Sequence, residues 1–521
     1  MKTRYFKFVI ALAVSASMLF TSCDSLDLGP IDNYGNANYW QNLAQVQTYV
    51  NGIHLDLRSN NFARKFTMGE ARGGLQVIGT GSQGASTYDD PIKGNTINVD
   101  NPGVTAWGSY YGNIFDCNLL IQKVEGSSIQ SANQKDVDYL LAQTYGIRAL
   151  YYFTLYRAYG GVPIITSVKV LDGQVSQSDL YTARSTAKEV MDFIKADLDK
   201  SLNYFASSGK SWTNNVTWSK AATQMLAADV YLWSAKVSLD NQAPASGDLA
   251  KAESYLNEVK NNTQFGLVSD FASIFASNNE SNKEIIFSIN YADGEATSSV
   301  SNFLYADANI VSFYDKTGAK LGDPLNLKGT AIQRYEYTLN FWNAFKAKDK
   351  RRGATFMEYY DKTGVVKGTV MKKFIGSINS QGARVYDSNE PVYRYADVLL
   401  MLAEVENMKN GDPAQYINQI RQRAYGTDYV AATDAYVNSD FKTNEYAILA
   451  ERDFEFVFEG KRWYDVCRMK DASNGKALAF DANSAYSGTP VLKSTEAFKL
   501  LWPVDKSTLN ADPKLVQTSG Y

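Results

Sequence analysis

Glu451, Glu455 and Glu459 recur every four residues in the stretch ILAERDFEFVFEGKRWYDVCRM. On a helix that spacing puts three carboxylates on one face, and paired carboxyl groups flanking a glycosidic bond are the apparatus of sugar hydrolysis. Arg452, Lys461 and Arg462 stand among them, and charges of both signs at helical spacing read better as structural ion pairs. PVYRYADVLLMLAEVEN, 391–407, repeats the theme, with Arg394 and Asp397 expected to pair near a helix start and Glu404 further on. His54 is the only histidine, which excludes multi-histidine metal centres and leaves one candidate for a Ser-His or Cys-His arrangement. Its setting, TYVNGIHLDL, reads as a helix end. No P-loop, dinucleotide fingerprint, EF-hand or serine elbow occurs. A calcium ion near Tyr88-Asp89-Asp90 is conceivable, but nothing in the spacing specifies it. The expectation is no catalytic residue, no metal and no cofactor.

Aromatic side chains are abundant instead, with 35 Tyr and 25 Phe. The densest run is RALYYFTLYRAYGGVPII, Arg148 to Ile165. Tyr145, Ala149, Tyr152, Tyr156 and Tyr159 trace one helical stripe, while Leu150, Phe153 and Arg157 occupy others. A helix apolar on several sides packs on several sides. Gly160 and Pro163 end it, so the run reads as core between helices, not as a ligand platform.

Helical periodicity must position these groups. It marks 44–57, 107–124, 137–159, 186–205, 219–238, 249–261, 395–407, 413–425 and 444–469. Thr186 with Glu189 makes a capping box, and the apolar face that follows is Val190, Phe193, Ile194 and Leu198, with Asp197 the exception. Ala221, Met225, Ala228, Leu232 and Ala235 form a stripe of mostly small residues, which lets helices approach closely. Consecutive amphipathic helices of this kind resemble tetratricopeptide pairs. The expected class is mainly α, an α-α superhelix of helix pairs carrying an irregular, loop-rich face with a few short strands. EIIFSINY, Glu284 to Tyr291, is the clearest strand. Two long regions, near 66–105 and 293–390, lack helical periodicity, and binding residues concentrate on such loops.

The N-terminus reads as a secretory signal. Lys2, Arg4 and Lys7 precede an apolar run, Phe8 to Phe20, that is too short to span a membrane, and Cys23 follows directly. That arrangement is similar to a bacterial lipobox, with Cys23 the lipid attachment point. An ordinary signal peptide followed by a chance cysteine is the alternative. Residues 1–22 are then a leader and 23–521 one domain. Subtracting the three leader cations from 52 leaves 49 basic against 55 acidic side chains, a net of −6, which argues against a nucleic-acid partner. Cys117 and Cys467 lie in apolar helical contexts and read as buried, with a single disulfide conceivable.

Several segments, taken in order, carry a family resemblance: Cys23-Asp-Ser-Leu-Asp-Leu, RALYYFTLYRAYGGVPII, NKEIIFSI, PVYRYADVLLMLAEVEN, YINQIRQRAYG, ERDFEFVFEGKRWYDVCRM and LWPVDKSTLNADPKLVQTSGY. Together they resemble the SusD/RagB family of outer-membrane nutrient-binding lipoproteins. The resemblance implies four tetratricopeptide-like helix pairs, no enzymatic activity, a lipid anchor facing the cell exterior, and partnership with a SusC-like TonB-dependent transporter. It implies capture of oligosaccharides or, in the RagB-like branch, oligopeptides.

Trp40, Trp107, Trp233, Trp463 and Trp502 fall in helices or motifs of the scaffold, Trp212 and Trp218 on a connection, and only Trp342 within a long irregular region. No tryptophan arc for a long glycan is visible, so rings would come from Tyr88, Tyr305, Tyr314 or Tyr335. The expected ligand contacts are Arg72, Tyr88, Asp89, Tyr305, Tyr335 and Trp342, the aromatic and charged residues of the two loop regions.

Overall fold

The structure, a computed structural model, describes residues 39–58, 65–78, 90–104, 107–172, 175–239, 242–305, 312–329 and 335–521. The longer helices are α1 (Leu43–Asp56), α2 (Gly108–Val124), α3 (Gln134–Tyr159), α4 (Ala187–Ser208), α5 (Lys220–Lys236), α6 (Asp248–Lys260), α7 (Tyr395–Met408), α8 (Ala414–Tyr425), α9 (Phe441–Glu455) and α10 (Arg462–Arg468). They pack in sequence: α1 and α2 against α3, α3 with α4, α5 with α6, α6 on α7, and α7 with α8 and α9. This is the tetratricopeptide-like superhelix that the periodicity predicts.

Local chemistry sets the helix ends. The Thr186 hydroxyl accepts the Glu189 N–H at 3.2 Å and the Glu189 carboxylate accepts the Thr186 N–H at 2.8 Å, so α4 opens on a reciprocal cap. Gly209, at φ +68°, closes it in a conformation that favours glycine. Asp197 belongs to the buried face of α4, because Arg148 of α3 donates to it at 2.8 and 2.6 Å. The tyrosines of α3 are buried, and their hydroxyls find partners at the edges: Tyr145 on Glu125, Tyr152 on the Ile165 carbonyl. Helix α5 is buried on every side, more than the single stripe predicted, since α4, α6 and α3 all touch it.

The strands are β1 (Gln76–Ile78), β2 (Ile285–Ile289), β3 (Tyr335–Tyr337), β4 (Phe356–Tyr360), β5 (Val366–Met371), β6 (Ser377–Ile378), β7 (Arg384–Val385) and β8 (Glu390–Arg394). They make four two-stranded antiparallel ribbons, β1–β3, β2–β8, β4–β5 and β6–β7. Most lie in the two regions that lack helical periodicity. Strands this short hold too few alternations to register as a period of two.

One expected helix is broken. In place of a continuous 444–469, α9 stops at Glu455 and α10 starts at Arg462. Between them Phe458 and Gly460 take φ of 63° and 68°. The Glu70 carboxylate, distant in sequence, accepts both of their N–H groups at 2.9 Å, so a non-local acceptor replaces helical hydrogen bonds there. One continuous hydrophobic cluster runs from Val46 to Val504 among the described residues. None of the described helices is long and apolar enough to cross a membrane.

Candidate functional site

The predicted contacts fall into two groups. Tyr88 and Asp89, like the anchor Cys23 and most of the suggested calcium loop, lie outside the described residues. Arg72, Tyr305, Tyr335 and Trp342 are buried, which corrects the expectation that they face a ligand. Arg72 has its guanidinium between the rings of Trp463 and Trp502, 4.0 and 4.7 Å from their centroids, and donates to Asn95 at 2.8 Å. Tyr305 donates to Asp323 and accepts the Leu325 N–H at 3.1 Å. Tyr335 packs on Phe66, with the Lys93 ammonium 5.0 Å from its ring. Trp342 lies under the guanidinium of Arg352 at 4.6 Å. The cause is common to all four: an aromatic or stacked side chain removes a large apolar area from water, so an irregular region folds such residues inward for its own core.

The carboxylates of α9 form the centre of a buried ion network. Arg394 donates to Glu455 at 2.6 Å, Glu459 at 2.9 Å and Glu284 at 2.8 Å. Arg351 reaches Glu451 at 3.0 Å and Glu455 at 3.4 Å, and Arg423 reaches Glu284 at 3.0 Å and also Glu455. Burial by itself would raise the Glu459 carboxyl, but the charges of Arg394 and Lys373 overcome it and bring it down to about 2. Glu459, held this firmly ionised and fully paired, cannot protonate a leaving group. The predicted Arg394–Asp397 pairing exists only through the backbone: Asp397 accepts the Arg394 N–H at 3.1 Å and takes its ion pair from Lys461 at 2.8 Å.

His54 is half-buried between two backbone groups, Nδ1 2.9 Å from the Val50 carbonyl and Nε2 accepting the Trp218 N–H at 3.0 Å. A carbonyl only accepts and an amide only donates, so the neutral Nδ1–H tautomer is selected. Cys117 and Cys467 are free, buried thiols, not a disulfide, and burial raises both well above the ordinary thiol range. Among the described residues no group of three or more His, Cys, Asp or Glu is placed to hold a metal.

Open space is found elsewhere. A polar chamber of about 70 Å³ lies among Arg157, Asp229, Asp397, Arg452 and Arg468. A groove of about 980 Å³ opens at the heads of α1 and α3, lined by the carboxamides of Gln41, Asn42, Gln47 and Asn133 with Asp136, Tyr139 and Lys210. Planar amides of this kind match the hydroxyls of sugars or the backbone of a peptide.

The long irregular region also presents a half-exposed ring, Tyr314, with the ammonium groups of Lys320 and Lys362 at 4.3 and 5.9 Å from its centroid. Tyr314 pairs with Tyr360 as an isolated antiparallel bridge, joining the 312–329 segment to the β4–β5 hairpin. Of the four tyrosines predicted to supply rings, it is the one that the described residues leave partly open.

This architecture has close counterparts. The sequence matches the SusD family over residues 270–521 and a family described as starch-binding and associating with the outer membrane over residues 32–232. A SusD superfamily protein of Bacteroides fragilis NCTC 9343 superimposes with a TM-score of 0.86 at 39% identity, covering 93% of this chain and 100% of its own. The chain belongs to the SusD family. Another structure, B. fragilis NanU, has a TM-score of 0.80 at 32% identity, over 95% of this chain and 100% of that one. The SusD-like protein P2 of Formosa agariphila is 27% identical over 87% of this chain and 89% of its own length.

In this SusD-family member two of the segments that carry the resemblance belong to the scaffold: RALYYFTLYRAY is the interior of α3 and ERDFEFVFEG part of the buried ion network. The Tyr314 cluster carried a signal that periodicity does not detect. The pentapeptide YDKTG occurs twice, at 314–318 and 360–364.

Proposed function

We propose that this protein is a lipid-anchored, surface-facing glycan-binding protein of the outer membrane, which captures oligosaccharides outside the cell and passes them to a SusC-like TonB-dependent transporter without cleaving them. The observation that carries the reading is the match of residues 32–232 to the family described as starch-binding and associating with the outer membrane. The curated starch-binding protein SusD of Bacteroides thetaiotaomicron adds support, at 27% identity over 135 residues, 26% of this chain and 22% of that one. Cys23, placed directly after the apolar run, supplies the anchor, and several acyl chains on one cysteine suffice for stable attachment. Binding without turnover agrees with carboxylates that are paired with arginine and a histidine closed between backbone groups. Tyr88 and Asp89 stay as candidate ligand contacts.

Calorimetry of the chain from residue 24 against panels of glycans and peptides tests the reading. Glycan binding with no product released is expected. Binding confined to peptides would move the chain to oligopeptide capture, and release of cleaved product would overturn the non-enzymatic role. Metabolic labelling with a fatty acid, lost on Cys23→Ser, tests the anchor.

A further inference from the structure

The groove at the heads of α1 and α3 is lined by amides that their own elements use only in part. Asn42 Oδ1 accepts the Gln45 N–H at 3.1 Å, which closes the cap of α1 and leaves the Asn42 NH2 group open. Gln47 donates to Asn51 at 3.0 Å and Asn133 to the Ile129 carbonyl at 3.1 Å, so each keeps its own carbonyl oxygen for another donor. The Gln41 carboxamide makes no hydrogen bond among the described residues. Donors and acceptors therefore lie open along one groove, above the apolar side chains of Leu43, Ile129 and Tyr139.

Charge in the groove is closed on itself. Asp136 and Lys210 are the two charged residues of the lining, and Lys210 Nζ lies 2.5 Å from the Asp136 carboxylate. The groove thus offers hydrogen bonds without a net charge, which suits a neutral ligand.

The connection from α4 to α5 brings an indole to the same place. Lys210 pairs with Asp136, and the Thr213 hydroxyl lies 2.7 Å from that of Tyr139, so the residue between these two contacts on the chain, Trp212, is held at the rim. It is the one exposed tryptophan among the described residues, with 37% of its surface open to solvent. Among those residues no hydrogen bond, ion pair or ring contact engages the indole. An aromatic face beside a few convergent amides is the lining that a sugar needs, with the ring against its C–H groups and the amides on its hydroxyls.

We propose that this groove, with Trp212 at its rim, binds a neutral oligosaccharide. The inference rests on the glycan-binding function above and gives it a site on the helical scaffold, outside both long irregular regions. A sheet edge for main-chain pairing with a peptide is not among the lining residues, which come from helix ends and their connections.

The test is calorimetric titration of the chain from residue 24 with a panel of neutral α- and β-linked gluco-, xylo- and manno-oligosaccharides, with an oligogalacturonate as the acidic probe and a tryptic casein digest as the peptide probe. Binding of at least one neutral member is expected. Trp212→Ala should weaken it about tenfold, and Gln41→Ala/Gln47→Ala by a similar factor, through loss of the ring contact or of hydrogen bonds. These side chains are exposed, so the melting temperature should stay within a few degrees of the parent. Val437→Ala, an exposed apolar control outside the lining, should bind like the parent. Bound sugar should also shield tryptophan emission from acrylamide, and the shielded fraction should vanish in Trp212→Phe. Neutral binding that either groove variant leaves unchanged, an equal loss in the control, or binding confined to the oligogalacturonate overturns the groove and leaves the glycan reading standing. Binding confined to the peptide digest, or to nothing in the panel, overturns both.

Discussion

Arg394 Nη1 lies 2.6 Å from Glu455 Oε1, and neither side chain has any exposure to solvent. The pair joins the strand that leads into α7 to the last residue of α9, so two elements far apart in the chain share one electrostatic contact. Its partners Glu284, Arg351, Arg423 and Glu459 extend the contact to the residue before β2, the 350–355 turn of helix, α8 and the break after α9.

Removing one partner leaves a buried charge unpaired. Glu455→Gln is expected to cost about 3 kcal/mol or more of unfolding free energy, within the usual range for breaking a buried pair. Urea denaturation with its slope monitored measures the loss. A change below about 1 kcal/mol would show that the network is not what holds α7 to α9.

Buried ion pairs in this network and beside it set an acid limit. Glu459 and Glu404 are each brought down to about 2, Glu404 by Arg468 and Lys236 against the raising effect of burial. In the unfolded chain glutamate titrates near 4.3, so the folded state binds fewer protons between those values. The stabilisation is complete above about pH 4.3 and is lost as pH falls toward about 2. A stability profile by chemical denaturation should fall steeply in that window, and the slope should lessen in Glu459→Gln.

His54 gives a second, milder dependence. Burial lowers its pKa, opposed by the Val50 carbonyl, and protonation at Nε2 would cost the hydrogen bond from Trp218. A lowered folded pKa means stability that is present above about pH 6.5 and declines as pH falls below it. Because the chain has one histidine, its ring nitrogens can be read directly by NMR. The Nδ1–H tautomer should persist just below about pH 6.5, where a free imidazole is already about half protonated; an imidazolium spectrum there would contradict the hydrogen bond from Trp218.

Gly146→Ala tests the contact between α3 and the connection into α5. The added Cβ would stand 2.1 Å from Nε1 of the fully buried Trp218, which is itself fixed by a 2.8 Å bond to Thr223. Overpacking of this kind costs roughly 1–3 kcal/mol. Thermal melting should show the loss, and near-ultraviolet dichroism should show the indole displaced.

Much of the scaffold was legible in the residues alone. Periodicity located the helices because burial repeats with the helical turn, and the bounds of α2, α4 and α6 fall within a few residues of those predicted. The tyrosine stripe of α3 read as interior, and it is interior. The predicted contacts were chosen by residue type within loops, and that reasoning has no access to depth: Arg72 and Trp342 are as polar or aromatic in the core as they would be on the surface. The pentapeptide YDKTG was visible twice in the sequence, yet only the fold brought Tyr314 and Tyr360 together in one antiparallel bridge.

The sequence by itself determined the mainly α class and the helix order, because each rests on neighbours within a few turns of chain; it marked the α9 carboxylates as ion-pair partners, but the arginines that pair with them, Arg351, Arg394 and Arg423, come from distant segments and not from the nearby Arg452, Lys461 and Arg462. Tertiary structure alone decided that Glu70 breaks the helix after Glu455, that Arg394 serves Glu284, Glu455 and Glu459 in place of Asp397, and that Lys320 and Lys362 meet at one ring. Those choices are made by atoms brought together from distant positions, where a buried donor takes whichever acceptor the fold delivers to it.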